Sequence, residues 1–129
     1  MEELTKAEEE VMQIIWELGP CTVSQIRDYI SHQNNQKKPP HSTISTFVRL
    51  IEKKGYLTHK AYGRTYEYHP VVSKSEYSRR TIRKFVSDYF GGSMKRLVSF
   101  MVEKDDLSLK ELSEMMEKLE DLDQQEKKH

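Results

Sequence analysis

Apolar residues near the start of the chain recur at helical spacing. Ala7, Val11, Ile14, Ile15 and Leu18 share one face, bounded by Thr5 with Glu8 three positions later and by Gly19-Pro20. A hydroxyl residue followed three positions on by Glu or Gln is the capping-box pattern that satisfies the free N–H groups of a helix start. Thr22 and Gln25 repeat that signal, and Val23, Ile26 and Ile30 predict a second helix of about ten residues. The polar stretch from His32 to Pro40 predicts a loop, since Pro40 biases Pro39 away from helix. Helical spacing returns over 40–54, where Ile44, Phe47, Val48 and Ile51 share a face between Pro40 and Gly55. The pattern then turns to aromatic and β-branched residues. Tyr56 to Ala61 and Thr65 to His69 flank Tyr62-Gly63-Arg64, which predicts a β-hairpin over 56–69 closed by Pro70.

The second half of the chain reads as helices. Tyr77, Thr81, Phe85 and Tyr89 follow at four-residue spacing, with Ser73 or Ser75 as cap, until Gly91-Gly92. A short helix carrying Met94, Leu97, Val98 and Met101 comes next. Ser108 and Glu111 open a third, whose stripe is Leu109, Leu112, Met115, Met116, Leu119 and Leu122. Asp123 to His129 are expected to fray.

Helix, helix, basic helix, hairpin is the order of a winged helix-turn-helix, in which the third helix enters the major groove. The expected fold class is therefore mainly α with a small β-hairpin wing: a winged-helix domain over 1–72 and a helical dimerisation domain over 73–129. At 36% hydrophobic and 33% charged, the 129-residue chain is lean in core formers. Phe85, Tyr89, Leu97, Phe100, Met101, Leu112, Met115, Met116 and Leu119 are more than two short helices and a longer one can cover for each other. A second copy of the chain is the expected cover, although these residues also suit an ordinary core.

Charge sharpens this picture. The formal net charge is zero, yet residues 37–66 hold 7 Lys or Arg against 1 acidic residue, and residues 97–129 hold 5 against 10. A basic middle between acidic ends attracts phosphate without indiscriminate sticking. Projected at 100° per residue, the third helix presents Ser42, Thr46, Arg49 and Lys53 opposite its apolar face, with Thr43 and Ser45 on the flanks. That face has no carboxylate. Short hydroxyl side chains let a helix approach base edges, and Arg49 suits guanine or phosphate. Lys53, Lys54 and Lys60 fit phosphate contacts, and Arg64 at the hairpin tip can reach phosphate or the minor groove. Simple solvation is the plainer reading of these hydroxyls. Serine and threonine are mediocre helix formers, however, and an idle face would favour Glu, Lys, Gln or Ala.

Pro40, Thr43-Ile44-Ser45-Thr46, Lys53-Lys54-Gly55, His59-Lys60, Gly63-Arg64 and Tyr68-His69-Pro70, with Trp16 and Val102 to Ser108, resemble the BlaI/MecI penicillinase-repressor family over nearly the whole chain. The resemblance implies a winged-helix domain joined to a three-helix dimerisation domain, acting as a homodimer on inverted repeats of double-stranded DNA. It places the family's contacting residues at Thr43, Thr46 and the basic residues around them, and implies a membrane sensor protease as an indirect partner. The sequence departs from the family twice. Phe100-Met101 stands where inducible members carry a cleaved Asn-Phe pair, so cleavage of that specificity does not carry over. The cysteine-rich C-terminal motif of copper-responsive relatives is missing.

Other chemistry is thinly represented. Cys21, the single cysteine, permits no internal disulfide and fits a reducing compartment. As a reactive thiolate it would need a base or resolving partner that the sequence does not offer, so a small buried or loop residue is expected. His59 and His69 on opposite strands lack a third ligand, and no metal or other cofactor is expected. His41 and Ser42 are adjacent on a helix and point apart, which leaves no catalytic constellation and no expected enzyme activity. The acidic start and the short apolar runs predict no signal peptide and no membrane insertion, hence a cytoplasmic protein. No small-molecule ligand is expected. A winged-helix module that binds protein through its third helix is the alternative to a repressor.

Overall fold

The computed structural model describes residues 2–35 and 37–104, with Ser108, Lys110, Glu111, Ser113, Glu114, Glu117 and Lys118. Thr5 and Glu8 form the predicted capping box: Thr5 Oγ1 accepts from the Glu8 N–H at 3.2 Å and Glu8 Oε1 accepts from the Thr5 N–H at 2.8 Å. They start α1 (Lys6–Leu18), whose buried residues are Glu8, Val11, Met12 and Ile15. Ala7 is exposed and Leu18 is 39% exposed, so the inward stripe is rotated from the expected one. Positions 8, 11, 12 and 15 satisfy helical spacing equally well once a charged residue is admitted to the inner face.

Cys21–Thr22 form a two-residue strand, β1, too short for any alternation to announce it. Thr22 also caps α2 (Val23–Asn34) through a reciprocal pair with Gln25. The helix runs through His32, Gln33 and Asn34, which were expected in the loop; Asn35, in the left-handed region at φ 49°, ends it. The connection to the next helix is tied back to α2. Arg27 Nε donates to the Pro39 carbonyl at 2.8 Å, and Lys38 Nζ lies 2.6 Å from Asp28 Oδ1.

The third helix, α3 (His41–Lys53), buries Ile44, Ser45, Val48 and Ile51. Val48 and Ile51 are wholly buried, as are Met12, Ile15 and Ile26 on the two preceding helices. Each such aliphatic side chain stabilises the fold by about 1.5–3 kcal/mol relative to exposure. Strands β2 (Leu57–Tyr62) and β3 (Thr65–Pro70) follow, turned through Gly63-Arg64 with Gly63 at φ 63°. That left-handed value suits a tight hairpin turn and is costly for residues with a Cβ.

The antiparallel sheet has the order β1-β3-β2, with β3 paired to Cys21 through Tyr68 and to Leu57 through Pro70. Helix, strand, helix, helix and hairpin in this order are a winged helix-turn-helix. Cross-strand partners share a face, so His59, Ala61, Tyr66 and Tyr68 lie on one side and Lys60, Tyr62, Glu67 and His69 on the other. His59 and His69 therefore face apart, and no group of three metal-ligating side chains occurs among the described residues.

The chain divides into two compact units, with the break between Lys74 and Ser75. In the second, α4 (Lys74–Phe90) and α5 (Met94–Glu103) are joined through Gly91-Gly92, and Ser93 caps α5. Val86 is the only buried residue of α4, and α5 has none. Phe85, Tyr89 and Phe100 are 46%, 73% and 47% exposed, while Leu97 and Met101 are half-buried. Phe90 bridges the aromatic group, 5.9 Å from Phe85 and 5.7 Å from Phe100 between ring centroids. Leu112, Met115, Met116 and Leu119 lie outside the described residues, as do Leu109 and Leu122. Ser108 Oγ accepts from the Glu111 N–H at 3.1 Å, half of the predicted capping box. No described helix is long and apolar enough to cross a membrane.

Candidate nucleic-acid interface

Because α3 buries Ile44, Val48 and Ile51, the 3.6-residue period forces Ser42, Thr46, Arg49 and Lys53 outward, and all four are exposed. Thr43 is exposed beside them. Thr46 Oγ1 donates to the Ser42 carbonyl at 2.8 Å. With its hydrogen committed to that bond, the hydroxyl offers lone pairs outward, toward donors such as adenine N6 or cytosine N4, and its methyl can meet thymine. Leu50 joins the same face at 42% exposure. Sequence reasoning named only hydroxyl and basic residues on this face and did not consider Leu50.

Two expected contacts are placed differently. Ser45 is buried, at 9% exposure, on the flank of α3 that turns toward β3, so the flank is covered where a free hydroxyl was expected. Lys54 is not a free cation. Its ammonium lies 2.6 Å from Glu8 Oε1 and donates to the Glu3 carbonyl at 3.0 Å, which assigns it to holding α1 against the end of α3. Burial raises the Glu8 pKa, but the Lys54 ammonium and the Thr5 N–H and hydroxyl outweigh it and hold the carboxyl below its ordinary value.

An open groove of about 340 Å³ separates α3 from the hairpin. His41, Ser45 and Arg49 line one wall, Arg64, Thr65, Tyr66 and Tyr68 the other, and Thr22, Val23 and Ser24 close the end. Arg49, Lys53 and Arg64 form no hydrogen bond or ion pair with another described residue, so their charge faces solvent. Lys60 is exposed on the outer side of the hairpin, with its ammonium 5.6 Å from the Tyr62 ring centroid. The α2 start was absent from the sequence-derived set. The Thr22–Gln25 cap marked that helix start, but only the return of the hairpin beside it brings it to the groove.

The only carboxylate among residues 37–66, Glu52, is on the wing-facing side of α3, with Oε2 2.6 Å from His59 Nδ1. Cys21 contributes nothing to this surface. It is 1% exposed, and burial, with the Glu67 charge, pushes its thiol up to about 11. The thiolate reading falls with that.

The penicillinase repressor family profile matches residues 4–121. The methicillin resistance regulatory protein MecI of Staphylococcus aureus (strain N315) is 31% identical over 113 residues, spanning 88% of this chain and 89% of that protein. The penicillinase repressor of Bacillus licheniformis is 28% identical over 119 residues, 92% and 91% of the two chains. The solution structure of the DNA binding domain of the repressor BlaI superposes with a TM-score of 0.48 at 29% identity, covering 60% of this chain and 94% of that domain.

Proposed function

The chain belongs to the penicillinase repressor family, and from that premise we propose that it is a transcriptional repressor that grips an inverted-repeat DNA operator as a homodimer. The observation that carries this reading is the exposed face of α3, where Ser42, Thr43, Thr46, Arg49 and Lys53 stand free of any carboxylate and Arg64 lies across the groove from Arg49. In the proposed complex α3 occupies the major groove. Thr46 and Arg49 read base edges, Lys53 and Lys60 contact phosphate, and Arg64 reaches the backbone or the minor groove.

The helical domain expected over 73–129, which contains the second unit, supplies the two-fold contact. Phe85, Tyr89 and Phe100 support it, being large aromatic side chains left in water by a single copy. Two copies place their α3 helices one helical turn of DNA apart or a multiple of it, and occupancy of a promoter blocks transcription. A cytoplasmic site of action follows from that role.

The test is fluorescence anisotropy on duplexes that the protein selects from a random-sequence library. With about 6 to 10 phosphate contacts, affinity should fall on the order of a thousandfold or more between 50 and 200 mM salt. A flat salt response overturns the reading. Sedimentation that returns only monomer at binding concentrations removes the two-fold part of it.

A further inference from the structure

Electrostatics alone argues against a carboxylate at Glu52. The residue sits in the last turn of α3, at the negative end of the helix dipole, on the helix proposed to approach phosphate. What offsets this is a link to the hairpin. Glu52 Oε2 meets His59 Nδ1 at 2.6 Å, and the His59 ring stacks on Tyr66 with centroids 4.3 Å apart and planes 18° from parallel. Tyr68, 2% exposed, has its ring centroid 5.8 Å from that of the imidazole, tilted by 53°.

The hairpin needs such a link. Leu57 is the only buried residue of β2; the five that follow are exposed. From His59 to the turn at Gly63-Arg64 the strand extends roughly 15 Å at about 3.3 Å per residue, so a small tilt near the root becomes a large displacement of Arg64. A partly exposed polar contact adds little to global stability. The consequence of this one is positional.

Resting on the DNA-binding reading above, we propose that Glu52 and His59 are positioning residues: they latch the wing to α3 and set the spacing between Arg49 and Arg64, without touching DNA themselves. The juxtaposition of helix carboxylate, imidazole and stacked Tyr66 holds the groove at one width. Both sides of it then engage DNA together, and the ordering cost is met before binding.

The experiment compares wild type, Glu52→Ala, His59→Ala, the double variant and Glu52→Gln on one duplex selected by the wild-type protein from a random-sequence library. Each alanine variant should bind roughly tenfold more weakly, and the double variant no weaker than about the same tenfold, because the two residues act through one contact. The dependence of affinity on salt should keep its slope, since no phosphate contact is lost. Glu52→Gln, which keeps an acceptor for the imidazole N–H, should recover binding close to wild type. His59→Phe keeps a ring over Tyr66 without the hydrogen bond and should show the same loss if the alanine variant does not fold.

Tighter binding by both Glu52 variants overturns the proposal in favour of simple charge repulsion. A shallower salt slope in His59→Ala overturns it in favour of direct phosphate contact. Unchanged affinity in the alanine variants removes the latch alone, whereas a wild-type protein that selects no DNA removes the repressor reading and the latch with it.

Discussion

Lys54 Nζ lies 2.6 Å from Glu8 Oε1 and joins the residue just past α3 to the first turn of α1, with the two side chains 16% and 3% exposed. A carboxylate that deep in the fold needs its partner. Lys54→Met should destabilise the protein by about 2–3 kcal/mol, because it leaves Glu8 in a dry site with only its Thr5 bonds. Glu8→Gln should cost less, since the amide keeps an acceptor without the buried charge. Urea unfolding of the two variants checks the order; equal stability of Lys54→Met and wild type would contradict it.

The same pair predicts an acid response. The folded pKa of Glu8 is lowered from its ordinary 4.5, so the unfolded chain takes up a proton first as pH falls. The stability that Glu8 contributes is fully present above pH 4.5 and is lost as pH drops through its lower folded value. Urea midpoints measured from neutral pH downward should fall over that window, and more shallowly in Glu8→Gln. A parallel decline in both proteins would assign the acid response to other groups.

Thr46 separates two ways of reading a base. Thr46→Val keeps the branched shape and a methyl but loses the outward lone pairs. Binding to a selected operator should weaken by about 1–3 kcal/mol where the contact is to a base donor, and change little where it is to a thymine methyl. Arg49→Ala should weaken binding in either case while the circular dichroism spectrum stays that of wild type. Anisotropy on the same duplex reads both, and unchanged affinity in both variants would remove the proposed reading face.

Arg64, at the exposed hairpin tip, has no protein partner among the described residues to lose. Arg64→Ala should therefore leave thermal stability unchanged, weaken all duplexes alike, and reduce the salt slope by about 1 for each protomer. Loss confined to one operator sequence would instead point to reading of the minor groove.

Cys21 should be inert. With its thiol buried and pushed up to about 11, it should resist iodoacetamide at pH 8 in the folded protein and react readily in urea. Fast alkylation of the native protein would contradict the placement of β1.

Much of this is legible in the sequence. The period of Ile44, Val48 and Ile51 set the outward face of α3, and the Thr5–Glu8 and Thr22–Gln25 spacings marked two helix starts to the residue. What escaped is of two kinds. Glu8 and Met12 were missed because a charged residue was not admitted to the inward stripe, although a partner distant in sequence makes it tolerable there. Lys54 was misplaced for the same reason, seen from the other end: its acceptors are 46 and 51 positions away. β1 and the buried flank at Ser45 depend on the return of β3 against an earlier part of the chain, which no local pattern encodes.

Trp16 is the single tryptophan of the chain, and its indole N–H donates to the Val72 carbonyl at 2.9 Å, near the end of the first unit. Its emission is consequently a built-in optical probe of that unit. In a denaturant titration the indole signal follows the melting of the winged helix, and a backbone signal such as far-ultraviolet dichroism follows the helices of both units. Whether the two curves coincide reports directly on how cooperatively the units unfold.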